Sequence, residues 1–123
     1  MHHEPVIAGG DGERIAVDGG SFAIHEWRGS GPPYLHVHHE DDEAWHVLDG
    51  SLSFRFADRE EEVGPGSTVF VPAGVAHTYA ASERARYLVV LTPRLRALIA
   101  ELQSAPDRSA DADIFRRHRS QIL

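Results

Sequence analysis

Four side chains in the middle of the sequence have the types and spacing to hold a metal ion: His36, His38, Glu43 and His77. His36 and His38 flank Val37, so on an extended strand both imidazoles leave the same face and can converge on one ion. Glu43 follows the acidic bend His39-Glu40-Asp41-Asp42 and opens the next apolar run, so a hairpin would return its carboxylate beside the two imidazoles. His77 comes after the turn Pro72-Ala73-Gly74-Val75-Ala76 and would arrive from a different part of a closed sheet. Three imidazoles and one carboxylate leave one or two positions open on an octahedral metal, and a nitrogen and oxygen set of this kind admits Mn, Fe, Co, Ni, Cu or Zn. One such divalent ion per chain is the expected cofactor.

The residues that alternate with these four share their faces. Trp45 and Val47 lie on the side of Glu43, and Tyr79 and Ala81 on the side of His77, where they line a substrate cavity or pack the core. Tyr34 either meets the substrate at the mouth or belongs to a rigid turn with Pro32 and Pro33. Glu43 and Tyr79 are the expected proton carriers. His39 alternates to the opposite face and is read as exposed, while His25, His46 and His118 are read as packed or surface residues and Glu40, Asp41 and Asp42 as a solvated bend. Arg28, Arg55 and Arg86 are candidates for an anionic group. Phe22, Ile24, Phe54, Phe56 and Phe70 are expected in the core.

Composition removes other chemistries. With 123 residues and 41% hydrophobic content, the chain is the size of one domain. Cysteine is absent, so disulfides, thiolate metal sites and cysteine nucleophiles are excluded. All 12 basic residues are arginines, so Schiff-base chemistry and a P-loop lysine are excluded as well. The net charge of −7 disfavours a nucleic-acid partner. No segment reaches the roughly 18 apolar residues of a membrane helix, and Met1-His2-His3-Glu4-Pro5 does not read as a signal peptide, so a soluble cytoplasmic protein without a membrane partner is expected.

The elements that must position the site read as β-strands. Nine runs (14–17, 22–28, 35–38, 43–48, 52–57, 61–63, 68–71, 77–81 and 85–91) are separated by Gly, Pro and Asp clusters, the pattern of an all-β sandwich or barrel. Asp49-Gly50, between two alternating runs, predicts a two-residue hairpin with positive φ at both residues. Thr92-Pro93 reads as an N-cap and first helical position, and Leu95, Leu98, Ile99 and Leu102 share one helical face. After a linker over 104–109, a second helix is predicted from Asp111 to Ile122 with Ile114, Phe115, His118 and Ile122 on one side. The organisation expected is a flexible arm over 1–12, a β-barrel over 13–92 and a helical segment over 93–123 packed on the barrel. An open strand edge predicts an edge-to-edge homodimer.

These residues resemble a known family, the cupins. Its first motif, HxH, three or four residues, Glu, six residues, Gly, is met by His36-Val37-His38, Glu43 and Gly50. Its second, Gly, five residues, Pro-x-Gly, two residues, His, is met by Gly66, Pro72-Ala73-Gly74 and His77. Ser30 stands where the first motif has its leading glycine, and Ala81 where the second ends in asparagine. The resemblance implies a single jelly-roll barrel with His36, His38, Glu43 and His77 as metal ligands and a small molecule as substrate or ligand. Small single-domain members of quercetinase type imply a metal-dependent dioxygenase. A Lewis-acid isomerase or cyclase, or a non-catalytic binding or sensor protein, is the alternative.

Overall fold

The computed structural model describes residues 4–123, so Met1 to His3 of the expected arm lie outside the described residues. From Glu4 to Ile15 the chain has no strand, and it first enters a sheet at Ala16. The strands are β1 (Ala16–Asp18), β2 (Ala23–Trp27), β3 (His36–His38), β4 (Glu43–Asp49), β5 (Leu52–Phe56), β6 (Glu60–Val63), β7 (Thr68–Val71), β8 (His77–Ala81) and β9 (Arg86–Leu91). Two helices, α1 (Pro93–Ser104) and α2 (Asp111–Arg117), and a last strand, β10 (Ser120–Ile122), follow. They form two antiparallel five-stranded sheets, β1-β2-β9-β4-β7 and β10-β3-β8-β5-β6. Among the described residues no helix is long and apolar enough to cross a membrane.

The inner faces follow the period of two. Trp45 and Val47 of β4, Tyr87, Val89 and Leu91 of β9, Leu52 and Phe54 of β5 and Tyr79 of β8 form one buried cluster, closed from the helical side by Leu95. Phe54 is 1% exposed and contacts the rings of Trp45, Phe56 and Tyr79. Phe22 and Phe70, expected in the core, are 55% and 60% exposed. Phe70 alternates with the inward Val69 and Val71. It ends an apolar row across the outer face, Val17, Ile24, Val90, Ala44, Phe70, joined by strand register. Phe54→Ala should therefore cost about 3–5 kcal/mol in urea unfolding, and Phe70→Ala no more than about 0.5 kcal/mol; equal losses would place both rings in the same environment.

Two local expectations are corrected. Asp49-Gly50 does not join a hairpin, because β4 and β5 belong to different sheets. Only Gly50 takes positive φ (69°), and an added Cβ there would meet the backbone of Ala85 at 2.7 Å. The dipeptide serves a crossover that needs the same left-handed residue as a hairpin. The second helix ends at Arg117 rather than running to Ile122. Arg119, at φ 57°, turns the chain into β10, which pairs antiparallel with β3. Helix α1 begins as expected: Thr92 accepts a hydrogen bond from the Leu95 amide and Pro93 occupies the first turn.

Candidate metal centre

β3 and β8 sit side by side with His36 opposite His77, so the alternation that sends His36 and His38 inward places all three imidazoles in one space. One ring nitrogen from each of His36, His38 and His77 lies within 4.8 Å of the others, and all three residues are buried. Glu43 reaches them from the opposite sheet, not by the expected hairpin: β4 belongs to the facing layer. Its Oε1 is 3.4 Å from Nε2 of both His38 and His77.

The outer nitrogens of the rings are occupied. His36 Nδ1 donates to the Tyr34 carbonyl at 3.1 Å and His77 Nδ1 to the Val75 carbonyl at 3.0 Å; a carbonyl only accepts, so these nitrogens carry the hydrogen, and in the neutral ring it is Nε2 that offers the lone pair. Burial first, and then the neighbouring His77 and His38, push His36 down to about 3, which leaves its lone pair free at neutral pH. Burial pushes the Glu43 carboxyl up, and only hydrogen-bond donors or positive charge on the side of His38 and His77 bring it down to about 2; a cation between them supplies that charge when their Nε2 atoms carry lone pairs. Glu43 Oε1 and His77 Nε2 are buried without a hydrogen-bond partner among the described residues. A buried carboxylate facing imidazole lone pairs calls for positive charge between them, and a divalent cation supplies it with the donor set that such ions favour. The residues present fit a metal.

The surrounding cavity, about 550 Å³, is lined by the four candidate ligands together with Trp45, Tyr79 and Tyr34. Val47 does not line it and belongs to the closed core, and Ala81 likewise packs against that core. Trp45 Nε1, on the Tyr79 side of the cavity, is buried with no hydrogen-bond partner of normal geometry among the described residues, which leaves it as a donor for a ligand. Tyr79 is a poor proton carrier. Its hydroxyl pairs at 2.7 Å with that of Tyr87, which donates to the Gly29 carbonyl, and burial pushes its pKa well up. Tyr34 donates to Asp111 at 2.7 Å. Arg28 lines the cavity along with Arg14 and Arg108, whereas Arg55 does not and Arg86 is paired with Asp49 at 2.9 Å.

The other histidines among the described residues stand apart. His39 is exposed, His25 pairs with Asp18, His46 with Thr68 and His118 with Glu101. The acidic bend is less solvated than expected, because Asp41 is buried and meets Arg94 at 3.3 Å. Sequence reading missed two contacts at the site. Phe115 of α2 lies parallel to the His38 ring at 6.2 Å, and Ser120 Oγ is 2.7 Å from His38 Nδ1. The sequence marks Phe115 only as a residue on the packing face of a helix, and no local signal marks Ser120.

Comparison with known proteins bears on the domain and its fold. The Cupin_2 family, described as a cupin domain, matches residues 24–91. An uncharacterized protein of Streptomyces coelicolor is 41% identical over 56 residues, covering 45% of this chain and 53% of that protein; the chain thus spans about half the length of this curated relative. A cupin-2 domain protein from Shewanella frigidimarina is 21% identical, covering 66% of this chain and 80% of that one, with a TM-score of 0.53. KdgF from a Halomonas species is 20% identical over 65% of this chain and 78% of that one, with a TM-score of 0.54. At these identities the structural likeness shows the fold alone.

Proposed function

The chain belongs to the cupin domain family, and on that premise we propose that it is a metal-dependent, quercetinase-like dioxygenase acting on a small, planar molecule with adjacent oxygen donors. The observation that carries the reading is the pairing of a nitrogen and oxygen donor set with apolar walls. Around His36, His38, Glu43 and His77 the cavity presents Trp27, Leu95, Leu98, Ile99 and Phe115. Such walls favour an aromatic or enolic ligand over a sugar, whose hydroxyls would be left without partners. A bound divalent ion would supply Lewis acidity and, if redox-active, electron transfer to oxygen.

The chain's own residues have separate tasks. Trp45 Nε1–H donates to a substrate oxygen, the apolar walls exclude water, and Arg14, Arg28 and Arg108 attract an anionic substituent. The proton that an enol hydroxyl gives up on binding passes to Glu43 only when its carboxylate swings off the ion, because the Tyr79 hydroxyl is committed to Tyr87. Lewis-acid isomerisation is the second reading, supported by the same donor set. Metal-loaded protein mixed with a flavonol or an enol in an oxygen electrode should consume oxygen about tenfold or more above the metal-free protein. Tight binding of those compounds without uptake would overturn the dioxygenase reading in favour of a binding protein.

A further inference from the structure

Two of the three imidazoles are oriented from within their own segment, by carbonyls two residues earlier in sequence. His38 is different. Its Nδ1 meets Ser120 Oγ at 2.7 Å, and the Ser120 hydroxyl is itself 3.2 Å from the His118 carbonyl. With the hydroxyl hydrogen committed to that carbonyl, the serine oxygen faces His38 as an acceptor. His38 then carries its hydrogen on Nδ1, and its Nε2 lone pair points toward Glu43. Ser120 is 3% exposed, so water does not readily replace it.

The strand that carries Ser120 also holds the strand that carries the ligands. β3 has a single register pair with β8, His36 with His77, but three with β10: His38 with Ser120, Val37 with Gln121 and His36 with Ile122. Two flanking bonds extend this ladder, from the His39 amide to the Arg119 carbonyl and from the Leu123 amide to the Leu35 carbonyl. Phe115, fully buried, closes over His36 and His38 from α2. Phe115, Ser120, Gln121 and Ile122, the C-terminal side of these contacts, lie beyond 24–91, the stretch that matches the family.

We infer that the C-terminal segment is a working part of the metal centre: Ser120 is a positioning residue that fixes the His38 ring toward the ion, and metal binding and the seating of β10 on β3 reinforce each other. The inference rests on the metal-binding reading. Its test is titration of the metal-stripped chain with Co2+, whose visible absorption reports the ligand set. Ser120→Ala should weaken Co2+ binding about 10- to 100-fold, while Ser120→Thr, which keeps the hydroxyl, should stay within about threefold of the unaltered chain. Ser120→Ala binding within about threefold of the unaltered chain would overturn the inference while leaving the metal reading intact. No Co2+ uptake by the unaltered chain would overturn both. Should Ser120→Ala not fold, hydrogen exchange on the unaltered chain decides: Co2+ should slow exchange at 36–38 and 120–122 about tenfold or more, and unchanged exchange there would overturn the coupling.

Discussion

Replacing His36 or His77 with alanine should weaken metal binding more than about 100-fold, beyond the loss that follows removal of an outer hydrogen-bond partner. Each substitution removes one of the three ring nitrogens that converge within 4.8 Å. The same change at His39 should leave affinity unchanged within about twofold, because that side chain is exposed and outside the cluster. Glu43→Gln separates charge from shape. It keeps the size of the side chain but removes the anion 3.4 Å from two imidazoles, so affinity should fall while the metal-free fold is retained or gains stability. Isothermal titration of the stripped proteins with one divalent ion checks all four variants, and equal affinity for His36→Ala and His39→Ala would show that the cluster is not the site.

Stripping the metal should lower the melting temperature by on the order of 10 °C. An ion that binds only the folded chain stabilises it by about 4 kcal/mol at a free concentration a thousand times its dissociation constant, and in a domain of this size each kcal/mol moves the midpoint by about 2–8 °C. Removal of the ion also leaves the Glu43 carboxylate buried, with Oε1 lacking a hydrogen-bond partner among the described residues, which costs solvation energy that the folded state must absorb. The loss should reverse when the ion is returned, and His36→Ala should show no such gain. A melting temperature unmoved by chelator and by re-addition would mean that no ion contributes to the fold.

The site was legible in the sequence to the extent that it rests on local alternation. His-Val-His must send both rings one way on a strand, and the Pro72-Ala73-Gly74 turn sets the start of the strand that bears His77, so these three residues were readable without knowing the sheet order. Which strands pair was not readable. Asp49-Gly50 suits any connection that needs a left-handed glycine, and the close approach of Ala85 to Gly50 in the crossover comes from a residue 35 positions on that no local pattern announces. The end of α2 was hidden because Arg119 takes positive φ where glycine or asparagine would have announced a stop. The outward Phe70 was misread because alternation fixes that Val69 and Phe70 face opposite ways, not which of them faces in. Ser120 lies 82 residues from His38, and only the β3–β10 register brings them together.

The central claim is that the three imidazoles hold a metal ion, with Glu43 completing the set. Elemental analysis of untagged protein, purified without chelator and scanned across the first-row metals, tests it most directly. The account predicts close to one equivalent of a single divalent ion per chain, lost in His77→Ala. A folded, metal-free protein that takes up no ion when Mn, Fe, Co, Ni, Cu and Zn are offered in turn would contradict it.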